Sequence, residues 1–146
     1  MRTHDLAQLN IARLLYPLDS AELTDFVDNL DRINALAEDS DGFVWRLKTE
    51  SGNATQIDYF GDDVIVNMST WRDPESLHKF VYRSAHTQFL KRRKEWFSEM
   101  KYFTALWWMP HGTTPTVADA HARLQLLEEH GPTPKAFVLN RLFEPE

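Results

Sequence analysis

Apolar and polar positions along this chain change period several times, and each change marks an element. From Leu6 to Leu15 (LAQLNIARLL) the pattern has the two-residue period of a strand. Leu9, Ile11, Arg13 and Leu15 fall on one side, Asn10, Ala12 and Leu14 on the other, and Pro17 ends the run. Ser20 or Asp19 is placed to cap a helix in which Leu23, Phe26, Val27, Leu30, Ile33, Asn34 and Ala37 return at helical spacing to about residue 38. Asp39, Ser40, Asp41 and Gly42 form a turn cluster. Phe43 to Thr49 then alternates as a second strand, with Phe43, Trp45 and Leu47 on one face and Val44, Arg46 and Lys48 on the other. Ser51–Asp63 is a polar loop whose apolar patch, Ile57, Tyr59 and Phe60, either holds it down or serves as a lid.

The stretch from Val64 to Met100 organises the rest. β-branched Val64, Ile65 and Val66 open a third strand, to about Ser69. Asp73 followed by Pro74 starts a helix, because the Asp side chain can accept from free backbone N–H groups and proline fits the first helical position. Leu77, Phe80, Val81, Ala85, Phe89, Trp96 and Met100 then recur on one face, predicting one long helix. Tyr102 to Met109 is a fourth strand, broken by Pro110, His111 and Gly112. Thr116 caps a helix over Val117 to His130 with Ala120, Leu124 and Leu127 inward, Gly131 and Pro132 stop it, and Ala136 to Phe143 reads as an added edge strand.

Strand, helix, strand, strand, helix, strand is the ferredoxin-like α+β order, expected to give an antiparallel sheet with both long helices on one face in a single domain, residues 1–146. Apolar residues on both faces of the strands predict that the other face is buried against a second copy, a homodimer packed sheet to sheet.

Composition narrows the function. The formal charge of −6 argues against nucleic-acid binding, and the run Lys91–Lys94 lies beside Glu95 and Glu99, a salt-bridged helix face. With no cysteine there are no disulfides or thiolate sites, which fits a cytoplasmic protein. The opening MRTHDLAQLN predicts no signal peptide, and no segment reaches the ~20 apolar residues of a membrane helix. Glycine-rich phosphate loops and nucleophile elbows are missing, the histidines show no metal spacing, and no cofactor is expected.

Asn67, Ser69, Trp71, Tyr82 and His86 make the densest polar and aromatic group in the chain. Tyr82 and His86 share a helix face. His86 has the pKa range of a general base, and Asn67 and the Trp71 indole N–H are candidate oxyanion donors. Taken singly, each has a structural alternative: a loop hydrogen bond for Asn67, a staple at the helix start for Trp71, a satisfied half-buried histidine for His86. Arg46, Arg83, Arg92 and Arg93 could grip a carboxylate, although pairing with Asp and Glu is their commoner use.

The runs Gly42–Leu47, Asn67–Trp71, Phe80–His86, Arg92–Phe97 and Trp107–Trp108, with His130–Pro132 and Ala136–Phe137, together resemble domain-of-unknown-function family 3291 of the dimeric α+β barrel superfamily. The resemblance implies kinship with cofactor-free monooxygenases of antibiotic biosynthesis, in which an Asn and a Trp at the spacing of Asn67 and Trp71 position a phenolic substrate. In the haem-degrading members an Asn, a Trp and a helix His form the site. Asn10, Trp71 and His86 echo that set, but Trp71 and His86 are fifteen residues apart, a longer spacing than that group's. The leading expectation is a cofactor-free monooxygenase or isomerase for a hydrophobic or phenolic molecule, with His86, Asn67 and Trp71 catalytic and Asn10, Ser69 and Tyr82 binding substrate. The alternatives are a non-enzymatic ligand-binding module and a haem-binding protein.

Overall fold

The computed structural model describes residues 2–17, 19–47, 64–83, 87, 91–98 and 103–145, with Arg83 by its backbone alone. The loop 51–63 and His86 lie outside the described residues. β1 (His4–Arg13) runs through the middle of the sheet. β3 (Val64–Trp71) and β4 (Thr104–Pro110) flank it antiparallel, and β2 (Phe43–Arg46) pairs with β3 at the edge, giving the order β2-β3-β1-β4 of a ferredoxin-like α+β fold.

Strict alternation on β1 sorts its side chains onto two faces. The register aligns Trp71–Leu6–Trp108, then Ser69–Gln8–Leu106, then Asn67–Asn10–Thr104 across β3, β1 and β4 on one face. Ala7, Leu9 and Ile11 point to the other. β2 departs from the predicted alternation. Phe43 pairs with Trp71 but Trp45 pairs with the next residue back, Thr70, because a bulge at Val44 inserts one residue. Phe43 and Arg46 therefore join the Trp71 face, and Trp45 and Leu47 pack with the core of the other.

The first predicted helix is divided. Ser20 precedes a 3-10 turn, Ala21–Leu23, without making a side-chain cap; α1 (Thr24–Asp28) and α2 (Leu30–Glu38) follow. They part at Asn29, whose amide donates to the Asp25 carbonyl (2.8 Å) and accepts from Arg32 (3.1 Å), competing with the helix ladder. α3 (Pro74–Arg83) starts as predicted, with Asp73 Oδ1 accepting from the Ser76 backbone N–H and hydroxyl, each at 2.8 Å. The continuous helix to Met100 is not found. Arg92 leaves helical geometry, α4 spans only Arg93–Trp96, and Phe97 is extended and bridges to Leu14, so the chain is already returning toward the sheet. α5 (Val117–His130) has its Thr116 cap, Thr116 Oγ1 accepting from the Asp119 N–H at 3.1 Å, and its Gly131 stop.

Two expectations about the end of the chain are corrected. Residues 136–143 make isolated bridges instead of a strand: Phe137 bonds Leu106 through the backbone, and the Trp108 indole N–H donates to the Phe143 carbonyl (2.7 Å). This tail folds over the Trp71 face, adding Phe137, Leu139 and Phe143 to its core. Nor is the second sheet face bare. Ala120, Leu124 and Leu127 of α5 pack with Ala7, Leu9, Ile11, Val66, Met68 and Trp107, all buried within one protomer. Burial of these described residues therefore does not require a second copy. Among the described residues, no helix is long and apolar enough to cross a membrane.

Gly42 ties the α2–β2 turn to α3. It has φ +85°, its carbonyl accepts from Arg72 N–H at 2.7 Å, and a Cβ there would collide with Ser76 Oγ. Gly42→Ala is expected to cost about 1–3 kcal/mol or more in urea unfolding, from the left-handed backbone and from displacement of the α3 cap. Wholly buried Asp5 lies at the same end of the sheet, on β1 beside the last residues of β4. Burial alone would raise its pKa, but hydrogen bonds with Arg2 Nε (2.6 Å) and His111 Nδ1 (2.9 Å) outweigh that and hold it below the usual 3.8. A folded-state value below the unfolded one adds stability above the unfolded pKa, lost as pH falls through the folded value. Asp5→Asn should accordingly flatten the loss of stability below about pH 4, measured by thermal unfolding across pH.

Candidate functional site

The site grows out of the three cross-strand rows. The first, Trp71–Leu6–Trp108, is apolar and meets Leu77, Phe80 and the tail's Phe137 and Phe143, so it packs solid. Trp71 is fully buried, stacked on Phe80 at 5.4 Å and edge-on to Phe43 at 5.5 Å. The next two rows carry Gln8, Ser69, Asn10 and Asn67. Short polar side chains cannot reach up to fill the space under the helices, and a cavity of about 730 Å³ opens there. That is an ordinary size for a small-molecule site. Phe26, Leu30 and Ile33 line it from α1 and α2, Leu77, Phe80, Val81 and Tyr82 from α3, and Val138 and Leu139 from the tail.

On the floor, hydrogen-bond direction is forced. An indole N–H can only donate, so Trp71 Nε1 gives its proton to Ser69 Oγ (2.8 Å). Ser69 must then turn its own hydrogen to Gln8 Oε1, also 2.8 Å away. With its oxygen engaged, Gln8 keeps both amide hydrogens without a partner among the described residues. No described residue hydrogen-bonds the Asn10 or Asn67 amide either, and these two face each other in one register pair. Thr104, the third member of their row, is occupied: its hydroxyl donates to the Leu9 carbonyl at 2.8 Å.

Asn10, Asn67, Ser69, Trp71 and Tyr82 all line this one cavity. Tyr82 is half exposed, its ring against His78 at 4.8 Å, a rim position. His86 lies outside the described residues. One expected role changes: the Trp71 N–H is committed to Ser69 and does not offer itself to a ligand. The arginines also separate. Arg92 is held by Asp25 (3.0 Å) and Glu95 (2.9 Å), and Arg46, which does line the cavity, by Glu38 (2.7 Å). Arg93 lines the cavity with its guanidinium 4.1 Å over the Phe103 ring, and no described carboxylate pairs with it. Among the described residues the lining holds no Asp, Glu or His.

The family model of a domain of unknown function, DUF3291, matches residues 5–146. The chain belongs to the DUF3291 family. Among solved structures it is similar to SnoaB, a cofactor-independent oxygenase from Streptomyces nogalater. The TM-score is 0.50 at 14% identity, over 77% of this chain and 98% of SnoaB. NE2512 from Nitrosomonas europaea, a protein of unknown function, matches with a TM-score of 0.48 at 13% identity, over 80% of this chain and 97% of its own. The likeness to SnoaB is one of fold. No curated protein matches the chain.

In this DUF3291 chain Gln8 is the site residue that the sequence reading missed. The available signal was a polar side chain set between Leu6 and Asn10 on the same face of a central strand. Ser69→Ala is expected to strand the Trp71 N–H and the Gln8 carbonyl oxygen together in a dry place. The cost should be about 1–3 kcal/mol in urea unfolding, with a change in tryptophan emission as the indole loses its acceptor.

Proposed function

We propose that this DUF3291 protein binds a small, ring-shaped apolar molecule on the Gln8–Asn10–Asn67 floor and oxidises it with molecular oxygen without a cofactor. The reading rests on one observation above all: at the base of an aromatic-walled cavity stand the Asn10 and Asn67 amides and the NH₂ of Gln8, none of them with a partner among the described residues. Aromatic walls exclude water from a planar substrate. The amide N–H groups of Gln8 and Asn67 then suit the oxygen of a phenolate or enolate better than that of the neutral substrate, and this preference lowers the barrier to deprotonation. His86 is proposed as the base on the sequence argument given above. The deprotonated substrate is electron-rich enough to reduce oxygen. Overall, a methylene carbon loses two hydrogens and gains one oxygen atom as a carbonyl, and the second oxygen atom leaves with those hydrogens as water. The SnoaB-like fold supports this reading.

A second reading, a binding module without turnover, is favoured by the described lining, which carries no carboxylate or imidazole to act as base. Haem binding has no described histidine in the cavity and would rest on His86 alone. Oxygen consumption with anthrone separates the readings. An oxygenase consumes one oxygen per anthraquinone formed, and Asn67→Ala lowers kcat by about tenfold to hundredfold, as expected for loss of one oxyanion donor. Saturable anthrone binding with no oxygen uptake leaves the binding module, and an unchanged rate in His86→Ala removes His86 as the base.

A further inference from the structure

Neutral amides on the floor and arginines at the sides give the cavity its polar character, and of those arginines Arg93 has no carboxylate partner among the described residues. Arg46 is tied to Glu38 at 2.7 Å. Arg93 has its guanidinium face on the Phe103 ring at 4.1 Å and no described carboxylate beside it. Stacking on Phe103 uses only the face of the guanidinium and leaves the N–H edge, the part that grips a carboxylate, unused. Register fixes where the stacked pair lies. Phe103 immediately precedes Thr104, the row partner of Asn10, and its carbonyl accepts from Ile11 N–H at 2.8 Å. Arg93 therefore stands at the end of the floor where Asn10 and Asn67 face each other, away from the packed Trp71 end.

We infer that the ligand of this cavity is an acid: a flat apolar ring system bearing a carboxylate, the carboxylate on the Arg93 edge and the rings between the sheet and the Phe26, Ile33 and Phe80 walls. Arg93 is then the residue that determines specificity. The inference rests on the binding reading above and goes past it by naming the charge of the ligand and the group that selects it.

Anthracene-2-carboxylate and anthracene-2-carboxamide are isosteric probes that differ in charge, and both report binding by their own fluorescence. The expected result is a carboxylate at least about tenfold tighter than the amide, the size of one charge-assisted bidentate contact. In Arg93→Gln that preference should vanish while the amide binds as before. In Arg93→Lys, which keeps the charge and loses the fork, a reduced preference should survive. Arg92→Gln, whose guanidinium is committed to Asp25 and Glu95, should keep the full preference. Circular dichroism melts of each variant identify any that fail to fold, and Arg93→Lys then carries the comparison. Equal binding of the two probes to the unaltered protein, or a full preference persisting in Arg93→Gln, overturns the assignment of Arg93 and leaves the cavity as a binding site. No binding of either probe overturns both.

Discussion

The Trp71 indole has a single hydrogen to give and nothing with which to accept, and the rest of the cavity floor takes its direction from that constraint. Because Trp71 donates, Ser69 must pass its hydrogen onward, and Gln8 must receive it on its oxygen. The relay crosses from β3 to β1 and ends with an amide NH₂ directed away from its own acceptor. A buried donor left unmade costs about 1–3 kcal/mol, so the chain resists reversal as well as rupture. The same indole is clamped between Phe43 and Phe80 and thereby fixes the end of β3 against α3. Two residues later Asp73 caps that helix. One side chain thus holds a strand end, a helix start and the orientation of the site's polar groups.

The two sheet faces show how a hollow arises beside a well-packed core. On the second face Ala7, Leu9 and Ile11 share one buried core with Ala120, Leu124 and Leu127 of α5, with Trp45, Leu47 and Phe103 packed against it. On the first face the apolar row at Trp71 closes against α3 and the tail, and then the register brings two polar rows in succession. Helices held at a distance by the large Trp71, Phe80 and Phe26 rings cannot descend onto amides without burying them unpaired. Desolvating the amides opposes closure of the space, against the gain from burying the apolar walls. Polarity on the floor and volume above it have one cause.

Much of this was legible in the chain, and the exceptions have physical reasons. Strand β1, the Asp73–Pro74 start of α3, and both ends of α5 follow local rules that tertiary contacts reinforce. The side of the sheet taken by Trp45 did not, since one bulged residue at Val44 inverts every later position, and no composition rule locates a bulge. The long helix to Met100 failed because its apolar spacing is equally satisfied by Trp96 packing under Phe26 while the backbone turns away at Phe97. The bare sheet face was inferred by treating the last helix as an appendage, whereas its Ala120, Leu124 and Leu127 join the buried core on that side. Asn10, Asn67, Ser69 and Trp71 share one sheet face because adjacent antiparallel strands place same-face residues side by side, and Tyr82 reaches the same cavity from α3. Gln8 escaped notice because its importance lies in what it receives from Ser69, a partner 61 residues away.

Electrostatics gives the cavity a character opposite to that of the whole molecule. The chain has a formal charge of −6, yet among the described residues no acid lines the cavity and two arginines do. Surface carboxylates farther than about 8 Å from the cavity are largely screened at physiological ionic strength, whereas a charge in a partly desolvated wall is not. The net negative surface would slow an approaching anion and the local donors would hold it once inside, so selectivity in such a site comes from dissociation more than from encounter. Amides and a stacked guanidinium also suit the part because neither changes charge near neutral pH. Their donors stay available, and the timing of any proton transfer is left to a separate group.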